Sequence, residues 1–215
     1  MVGSFMVHMM EVASMNSHEI GRVEAGPGES WMVGQTRPIG CALEPTLVLL
    51  NHSCDPTMLR VNTGSSTLGF ASRDIKVGEE ITDCYCFTYD ITPEEERRPQ
   101  LDMKYKFSCQ CRACSQHWDT YQLLPKSFND LSPHQLKIDP SDLQSVQANM
   151  KTIMQLGAKI NQLQKSEDYE GALQLYGKFH RSLAEVVEPP HQFYVMSRRS
   201  LATSLWLLHG NKKRN

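Results

Sequence analysis

The sequence predicts an α+β fold, in which a β-rich first half precedes an all-helical C-terminal third. Short apolar runs separated by turn residues fill the segment from about Ile39 to Tyr89. Beyond residue 140, apolar residues recur three and four positions apart. Between the two patterns lies a Cys-x-Cys-x-x-Cys cluster at Cys109, Cys111 and Cys114. Thiolates at this spacing are typical zinc ligands, so a metal site is expected where the halves meet.

The strands of the first half are predicted from apolar runs. They are expected at Thr46 to Leu50, at Leu59 to Asn62 and at Thr67 to Ser72, with a turn at Thr63-Gly64-Ser65-Ser66. The segment from Asp74 to Ile81 is expected to turn into a further strand. Little helix is predicted in this half.

Helices are predicted from position 92 onward. Thr92 and Pro93 are expected to open a short helix, with Thr92 as N-cap and the proline at the first helical position. Two amphipathic helices follow from apolar stripes, and a third is expected from about Gln192 to Leu208. The stripes are Leu143, Val146, Met150, Ile153, Gly157 and Ile160, then Tyr169, Ala172, Leu173, Tyr176, Phe179, Leu183 and Val186. The C-terminal third is therefore predicted to be an antiparallel helical array.

Composition narrows the classes of function. A chain of 215 residues is expected to form one or two domains. Lys and Arg number 22 against 24 Asp and Glu, so no overall basic field favours direct binding to nucleic acid. No apolar run is long enough for a membrane span. The odd count of seven cysteines, without a secretory signal, favours a reducing compartment, and we expect the cytoplasm and nucleus.

The cysteines divide into two sets. Cys54 together with Cys109, Cys111 and Cys114 supplies the four thiolates of a closed tetrahedral zinc site. Because Cys54 lies far from the triplet in sequence, zinc would hold two distant segments together. The remaining cysteines, Cys41, Cys84 and Cys86, are interpreted as small apolar core residues, the latter two on one face of a strand.

Three motifs in order carry a family resemblance. They are Asn51-His52-Ser53-Cys54-Asp55-Pro56, then Gly78-Glu79-Glu80-Ile81 with Tyr85, then Tyr105-x-Phe107-x-Cys109-x-Cys111-x-x-Cys114. Together they resemble the C-terminal half of a SET domain and its post-SET zinc cluster. The helical tail resembles the SET and MYND domain-containing protein-lysine methyltransferases. His117-Trp118-Asp119-Thr120-Tyr121 and Leu124-Pro125 are most similar to the member-4-like branch. The resemblance covers roughly residues 12 to 215.

The resemblance implies an S-adenosylmethionine-dependent protein-lysine N-methyltransferase. It assigns the catalytic role to Tyr85 and a place in the substrate channel to Tyr105. The implied cofactor contacts are Asn16, Asn51, His52 and Phe107, with Phe107 also in the aromatic wall of the channel. From the residues alone, Tyr85, Tyr105 and Phe107 could instead be packing residues, Asn51 a turn cap and His52 a buried, satisfied histidine.

The resemblance also implies a domain organisation. Residues 1–90 would be the C-terminal part of a SET domain, 91–122 the post-SET zinc-binding segment, and 140–215 a truncated tetratricopeptide-like helical domain. The glycine-rich first SET strand and the MYND finger are missing, so the chain is expected to be the C-terminal part of a longer protein. Thr57 stands where the family usually has Asn, and Glu44 where it often has Tyr.

Two kinds of function stay open. One is the methyltransferase, acting on a histone or non-histone lysine; the other is an inactive, zinc-stabilised scaffold for protein interactions. Asp168-Tyr169-Glu170-Gly171-Ala172-Leu173 resembles the start of a tetratricopeptide second helix. The helical array is therefore expected to form one side of the substrate cleft and to bind chaperone or chromatin-regulator partners. The alternative is that these helices only pack against the rest of the protein.

Overall fold

The computed structural model describes residues 2–24, 35–63, 66–132, 134–139 and 141–210. Its helices are α1 (Val2–Asn16), α2 (Glu94–Tyr105), α3 (Arg112–Ser115), α4 (Leu143–Lys165), α5 (Tyr169–Val186) and α6 (Gln192–His209). Its strands are β1 (Ser17–Glu24), β2 (Gln35–Leu43), β3 (Asn51–His52), β4 (Met58–Thr63), β5 (Ser66–Ala71) and β6 (Thr82–Asp83). Single turns of 3-10 helix lie at Leu47–Leu49 and Phe128–Asp130.

The strands form three two-stranded sheets. β1 pairs antiparallel with β2, and β4 pairs antiparallel with β5. The short strands β3 and β6 are parallel, with Asn51 opposite Thr82 and His52 opposite Asp83. A parallel pair needs a long connection, which here contains the β4 and β5 hairpin. This crossover brings the Asn-His motif beside the segment that leads into Tyr85.

The predictions for the first half are partly confirmed. The strands expected at 59–62 and 67–72 are present as β4 and β5, although residues 64 and 65 of the expected turn lie outside the described residues. The strand expected at Thr46 to Leu50 is wrong. Thr46 has α-helical dihedral angles, and the Leu50 amide donates to the Leu47 carbonyl, so the segment coils into a 3-10 turn.

The N-terminal helix α1 was not predicted, because its residues lack a clear apolar stripe. Large apolar side chains such as Phe5, Met6 and Met10 are exposed along it. Before α2, the chain also differs from expectation. Pro93, not Thr92, occupies the N-cap position, and its carbonyl accepts the first helical hydrogen bonds from Glu96 and Arg97.

The three long C-terminal helices are confirmed. α4 and α5 each begin at an aspartate, Asp142 and Asp168, whose carboxylates accept backbone amides of the first turn. α4 packs on α5, and α5 packs on α6. Consecutive helices joined by short connections are antiparallel neighbours, as the apolar stripes predicted. The tetratricopeptide-like geometry stays a prediction.

Within the described part of the chain, the buried apolar residues form two hydrophobic cores. The first lies among α4, α5 and α6 and reaches Val61 of β4. The second surrounds the cysteine cluster and includes Tyr89, Leu101, Trp118 and, from α6, Val195. Residues of all three predicted segments, 1–90, 91–122 and 140–215, therefore share one core, and the boundaries themselves stay a prediction. No helix within the described ranges is long and apolar enough to cross a membrane.

Candidate active site and metal centre

The predicted cysteine set meets in space. The sulfur atoms of Cys54, Cys109, Cys111 and Cys114 all lie within 4.8 Å of one another. The Cys54 and Cys114 sulfurs are 3.6 Å apart. In a tetrahedral zinc site with Zn–S bonds of about 2.3 Å, neighbouring sulfurs are about 3.8 Å apart. The spacing fits one zinc ion held by four cysteines.

Nearby donors suit negatively charged sulfur. The backbone amide of Cys54 donates to the Cys111 sulfur at 3.4 Å, and the Cys111 amide donates to the Cys109 sulfur at 3.5 Å. Arg97 is completely buried, and its guanidinium lies 3.8 Å from the Cys114 sulfur. Among the described residues, Arg97 forms no salt bridge with a carboxylate. Arg97 also donates to the carbonyls of Tyr89 and Thr92, and thiolates at the cysteine cluster, as zinc binding requires, would supply the opposite charge that a buried cation needs.

The other cysteines lie outside this cluster. Cys41 is exposed, so its predicted place in a core is wrong; it lies on β2, one of a strand pair that is not part of either core. Cys84 and Cys86 are half-buried. They are not in a strand, because β6 ends at Asp83 and the chain bends at Tyr85 and Cys86.

Four aromatic rings converge next to the cysteines. The Tyr85 ring centroid lies 4.9 Å from that of Tyr105 and 6.4 Å from that of Phe107, which it meets edge on. The His52 ring is 5.3 Å from Tyr85 and 5.9 Å from Phe107. The three aromatic residues predicted for the site and the Asn-His motif therefore occupy one wall.

The Tyr85 hydroxyl is placed as a hydrogen-bond acceptor. It donates its proton to the Leu50 carbonyl at 2.5 Å, which leaves the oxygen lone pairs available. Burial raises the pKa of Tyr85, and the nearby Asp83, Tyr105 and Glu80 raise it further. The hydroxyl therefore stays protonated at neutral pH and orients other groups rather than acting as a base.

Both ring nitrogens of His52 have partners within the protein. Its Nδ1 accepts the Tyr85 backbone amide at 3.0 Å, and its Nε2 lies 3.3 Å from the Cys54 sulfur. These partners assign the ring proton to Nε2. Burial lowers the pKa of His52 to about 4, so the ring is neutral. Any polar contact of His52 with a bound cofactor therefore has to come from its backbone.

The two predicted asparagines differ in placement. Asn51 is exposed at the mouth of the site, where its amide nitrogen donates to Glu80 Oε1 at 2.6 Å. Asn16 is the last residue of α1, and its amide donates to the Val12 carbonyl of the same helix at 2.8 Å. Among the described residues that line the main cleft, Asn16 is absent. The structure therefore joins Asn51, but not Asn16, to the other predicted residues.

These side chains open onto a large cleft of about 1310 Å³. One wall carries Asn51, His52, Tyr85, Tyr105 and Phe107. Other lining residues come from the helical array and the segment before it, namely Lys137, His180, Arg181, Ala184, Glu188, Tyr194 and Arg198. Residues of the C-terminal helices therefore line part of this cleft, while the prediction that the cleft receives a substrate stays a prediction.

The sequence analysis missed an ionic network that joins α6 to the segments that carry Asp55 and Asp90. Arg198 of α6 donates to Asp55 at 2.7 Å and to Asp90 at 2.5 Å. Arg199 binds the other oxygen of Asp90 at 2.8 Å. The guanidinium of Arg198 also lies 5.4 Å from the centre of the Tyr89 ring. The one available signal was Asp55, the residue after the predicted zinc ligand Cys54.

Thr57, which stands in place of the family's usual asparagine, is buried and satisfied. Its backbone amide donates to the Thr82 hydroxyl at 3.2 Å, and its own hydroxyl accepts the Thr82 amide at 2.8 Å. Thr57 thus ties the start of β4 to β6. Glu44, in place of tyrosine, accepts the Thr67 hydroxyl at 3.1 Å. Thr57 and Glu44, the two residues that differ from the family pattern, therefore both have hydrogen-bond partners.

Comparison with known proteins agrees with this arrangement. Residues 12–86 match the family model described as SET domain. The chain is 37% identical over 113 residues to the histone-lysine N-methyltransferase SMYD3 of Homo sapiens, an alignment covering 46% of this chain and 26% of that protein. It is 36% identical over 77 residues to the N-lysine methyltransferase SMYD2-B of Xenopus laevis, covering 36% and 17%.

The human N-lysine methyltransferase SMYD2 is 34% identical over 77 residues, again covering 36% of this chain and 17% of the relative. The chain therefore spans about a quarter or less of the length of these curated relatives. The matched residues include Asn51, His52, Cys54 and Tyr85. Residues 12–86 are thus similar to SET domains, and parts of the chain are similar to the methyltransferases SMYD3 and SMYD2.

Proposed function

We propose that this chain carries the lysine-facing part of an S-adenosylmethionine-dependent protein-lysine N-methyltransferase of the member-4-like branch. The observation that carries the proposal is Tyr85, which lines a large cleft and whose hydroxyl is held by the Leu50 carbonyl beside the Asn51 and His52 motif. The cytoplasm and nucleus are the proposed location, and a histone or non-histone protein is the proposed substrate. Chaperones or chromatin regulators are the proposed partners of the helical array.

The chemistry requires a neutral lysine amine. S-adenosylmethionine, when bound, supplies the methyl group as part of a sulfonium. An ammonium that enters the space beside Tyr85, Tyr105 and Phe107 loses water, and desolvation lowers its pKa. The Tyr85 oxygen, whose own proton is engaged, then accepts an N–H of the amine or a weak C–H contact from the methyl group. Correct alignment supplies most of the rate enhancement.

Hydrogen bonds connect the residues of the proposed channel. The Tyr105 hydroxyl donates to the Tyr85 carbonyl at 3.4 Å, and His52 holds the Tyr85 backbone amide. Asn51, Phe107 and the backbone of His52 are the proposed cofactor contacts. Asn16 is retained as a proposed contact from the resemblance alone.

The role of Tyr85 is tested by Tyr85→Phe. We expect methyl transfer to fall while cofactor affinity stays close to that of the wild type, because the hydroxyl acts mainly as the transition state forms. Loss of its hydrogen bond to Leu50 is expected to cost only about 1 kcal/mol of stability. Methyl transfer to a protein mixture, cofactor calorimetry and a melting curve measure the three quantities.

Tyr176→Phe is the matched control for the Tyr85 test, since its hydroxyl donates to the Ser200 hydroxyl at 2.5 Å among the C-terminal helices, away from the proposed reaction. Equal activity of Tyr85→Phe and the wild type, with a lowered melting temperature, would remove Tyr85 from catalysis. A wild-type chain that binds cofactor but transfers no methyl group would instead favour the inactive scaffold.

Cofactor binding is tested by Asn51→Ala. If the Asn51 amide contacts S-adenosylmethionine, the substitution should weaken cofactor binding by about 1 to 3 kcal/mol, the usual cost of an unpaired buried polar group. Glu80→Gln is the control, because it alters the partner that Asn51 uses in the structure while leaving Asn51 in place. Calorimetry with unchanged affinity in Asn51→Ala would exclude this contact.

A further inference from the structure

One arginine connects the three two-stranded sheets just before Tyr85. Arg60 lies on β4, and its side chain contacts His18 on β1 and Asp83 on β6. Each of these three strands belongs to a different sheet. Because Asp83 ends β6 and Tyr85 is the second residue after it, this junction leads directly into the proposed catalytic residue.

The guanidinium of Arg60 uses each of its three nitrogens for a different partner. Its Nε donates to Asp83 Oδ1 at 3.1 Å. One terminal nitrogen donates to His18 Nδ1 at 2.8 Å, and the other donates to the Cys84 carbonyl at 3.4 Å. Since the guanidinium is planar and its N–H groups point in fixed directions, the three contacts constrain their partners relative to one another. The compact ammonium of a lysine cannot reproduce this geometry.

The Asp83 carboxylate depends on Arg60. Its side chain is only 4% exposed, and among the described residues Oδ2 has no hydrogen-bond partner. An unpaired carboxylate at this depth is costly, so the ion pair keeps Asp83 beside Arg60. Arg60 therefore holds the backbone at two successive residues, through the Asp83 side chain and through the Cys84 carbonyl.

The constraint reaches Tyr85 through β3. Asp83 lies opposite His52 in the parallel β3 and β6 pair, and its carbonyl accepts the Ser53 amide at 2.8 Å. His52 Nδ1 in turn accepts the Tyr85 amide at 3.0 Å. Arg60 thus fixes the two residues before Tyr85, while the strand paired with them holds Tyr85 itself.

We propose that Arg60 is a positioning residue for Tyr85. By joining β1, β4 and β6, it holds the chain in the path that lets the Tyr85 hydroxyl reach the Leu50 carbonyl. Arg60 is not among the described residues that line the cleft, so it acts on the site only through the backbone. Its importance for methyl transfer rests on the proposed function, whereas its effect on the placement of Tyr85 does not.

The main test is Arg60→Lys, which keeps a positive charge beside Asp83 but removes the three-way contact. Nuclear magnetic resonance of protein with isotope-labelled tyrosine measures hydrogen exchange at the Tyr85 amide, whose signal is identified by its loss in Tyr85→Phe. Exchange at Tyr85 should be about tenfold faster in Arg60→Lys, because local opening then breaks fewer hydrogen bonds. The amide of Tyr176 in α5 is the internal reference and should keep its wild-type rate.

Arg73→Lys is the matched control. Arg73 also donates to a carboxylate and to a backbone carbonyl, those of Glu79 and Asp74, but it contacts neither β6 nor Cys84. It should leave exchange at the Tyr85 amide unchanged. An unchanged rate at Tyr85 in Arg60→Lys would overturn the proposal. Equal acceleration at Tyr85 and Tyr176 would also overturn it, because Arg60 would then contribute only to overall stability.

A double variant separates positioning from stability. Arg60→Met with Asp83→Leu removes both charges together, and replacing a buried ion pair by apolar residues is often neutral for stability. The melting temperature should stay close to that of the wild type, while exchange at Tyr85 should again be about tenfold faster. If neither this variant nor Arg60→Lys folds, Arg60 is a folding residue and the positioning role is rejected.

Methyl transfer is a separate measurement. In an active enzyme, Arg60→Lys should lower kcat about tenfold and leave the Kd for S-adenosylmethionine close to that of the wild type, since alignment of Tyr85 matters mainly in the transition state. Faster exchange at Tyr85 with an unchanged kcat would disprove the link to catalysis. If the wild type transfers no methyl group, the proposed function fails, and the exchange rates still decide whether Arg60 positions Tyr85.

Discussion

Cys111→Ser is expected to release zinc and to unfold the core around the cysteine cluster. Removing one thiolate leaves three ligands, and structural zinc contributes apparent binding free energies of about 10 to 16 kcal/mol in small zinc domains. The total stability of a typical domain is only about 5 to 15 kcal/mol. Because Tyr89, Leu101, Trp118 and Val195 pack around the cysteines, their packing depends on the metal.

The measurements are elemental analysis for zinc and thermal unfolding followed by tryptophan fluorescence, to which Trp118 in this core contributes. Cys41→Ser is the matched control, since Cys41 is exposed and lies outside the cluster. Treatment of the wild type with a strong chelator should reproduce the Cys111→Ser unfolding curve. Full zinc content in Cys111→Ser, or an unchanged melting temperature after the metal is removed, would contradict the zinc assignment.

The zinc set shows what sequence spacing can predict. Cys109, Cys111 and Cys114 are close in the chain. A structural zinc site has four ligands, and the cysteine of the Asn-His-Ser-Cys motif was the candidate for the fourth. The helices α4, α5 and α6 were predictable for a similar reason, because their apolar stripes repeat over many turns. A ligand spacing or an apolar repeat that extends over many residues is compatible with few other structures.

Other parts depended on contacts that a local pattern does not encode. The segment at Leu47 is as apolar as a strand, yet it coils into a 3-10 turn. Cys84 and Cys86 alternate as strand residues do, but β6 is only two residues long and the chain bends after it. In both places, the tertiary path around the parallel β3 and β6 pair overrides the local preference.

The ionic network at Arg198 was the feature least predictable from the sequence. Arg198 and Asp55 are separated by 143 positions along the chain, and nothing in an amphipathic helix indicates which arginine turns inward. The Asn-His-Ser-Cys motif identified Asp55 only as a neighbour of the predicted zinc ligand Cys54. The structure explains the position of Asp55, since its carboxylate holds α6 against the segment that carries Cys54.

Arg198→Ala is therefore expected to destabilise the protein by about 3 to 5 kcal/mol, the usual cost of removing one partner from a buried ion pair. The substitution leaves Asp90 almost completely buried, with a side chain 2% exposed, and without its Arg198 contact. It also removes the cation above the Tyr89 ring. As the denaturant concentration rises, the helical array should separate from the cleft wall before the rest of the protein unfolds.

Arg199→Ala is the matched control, because it removes a cation from the same Asp90 carboxylate but from a side chain that is 30% exposed. Its expected cost is about 1 kcal/mol, since solvent screens the pair and Arg198 still neutralises Asp90. Denaturant unfolding of both variants measures the difference. Equal losses in the two would mean that burial does not set the strength of this network. If Arg198→Ala has the stability of the wild type, α6 is held by apolar packing alone, and the ionic contacts with Asp55 and Asp90 contribute specificity rather than stability.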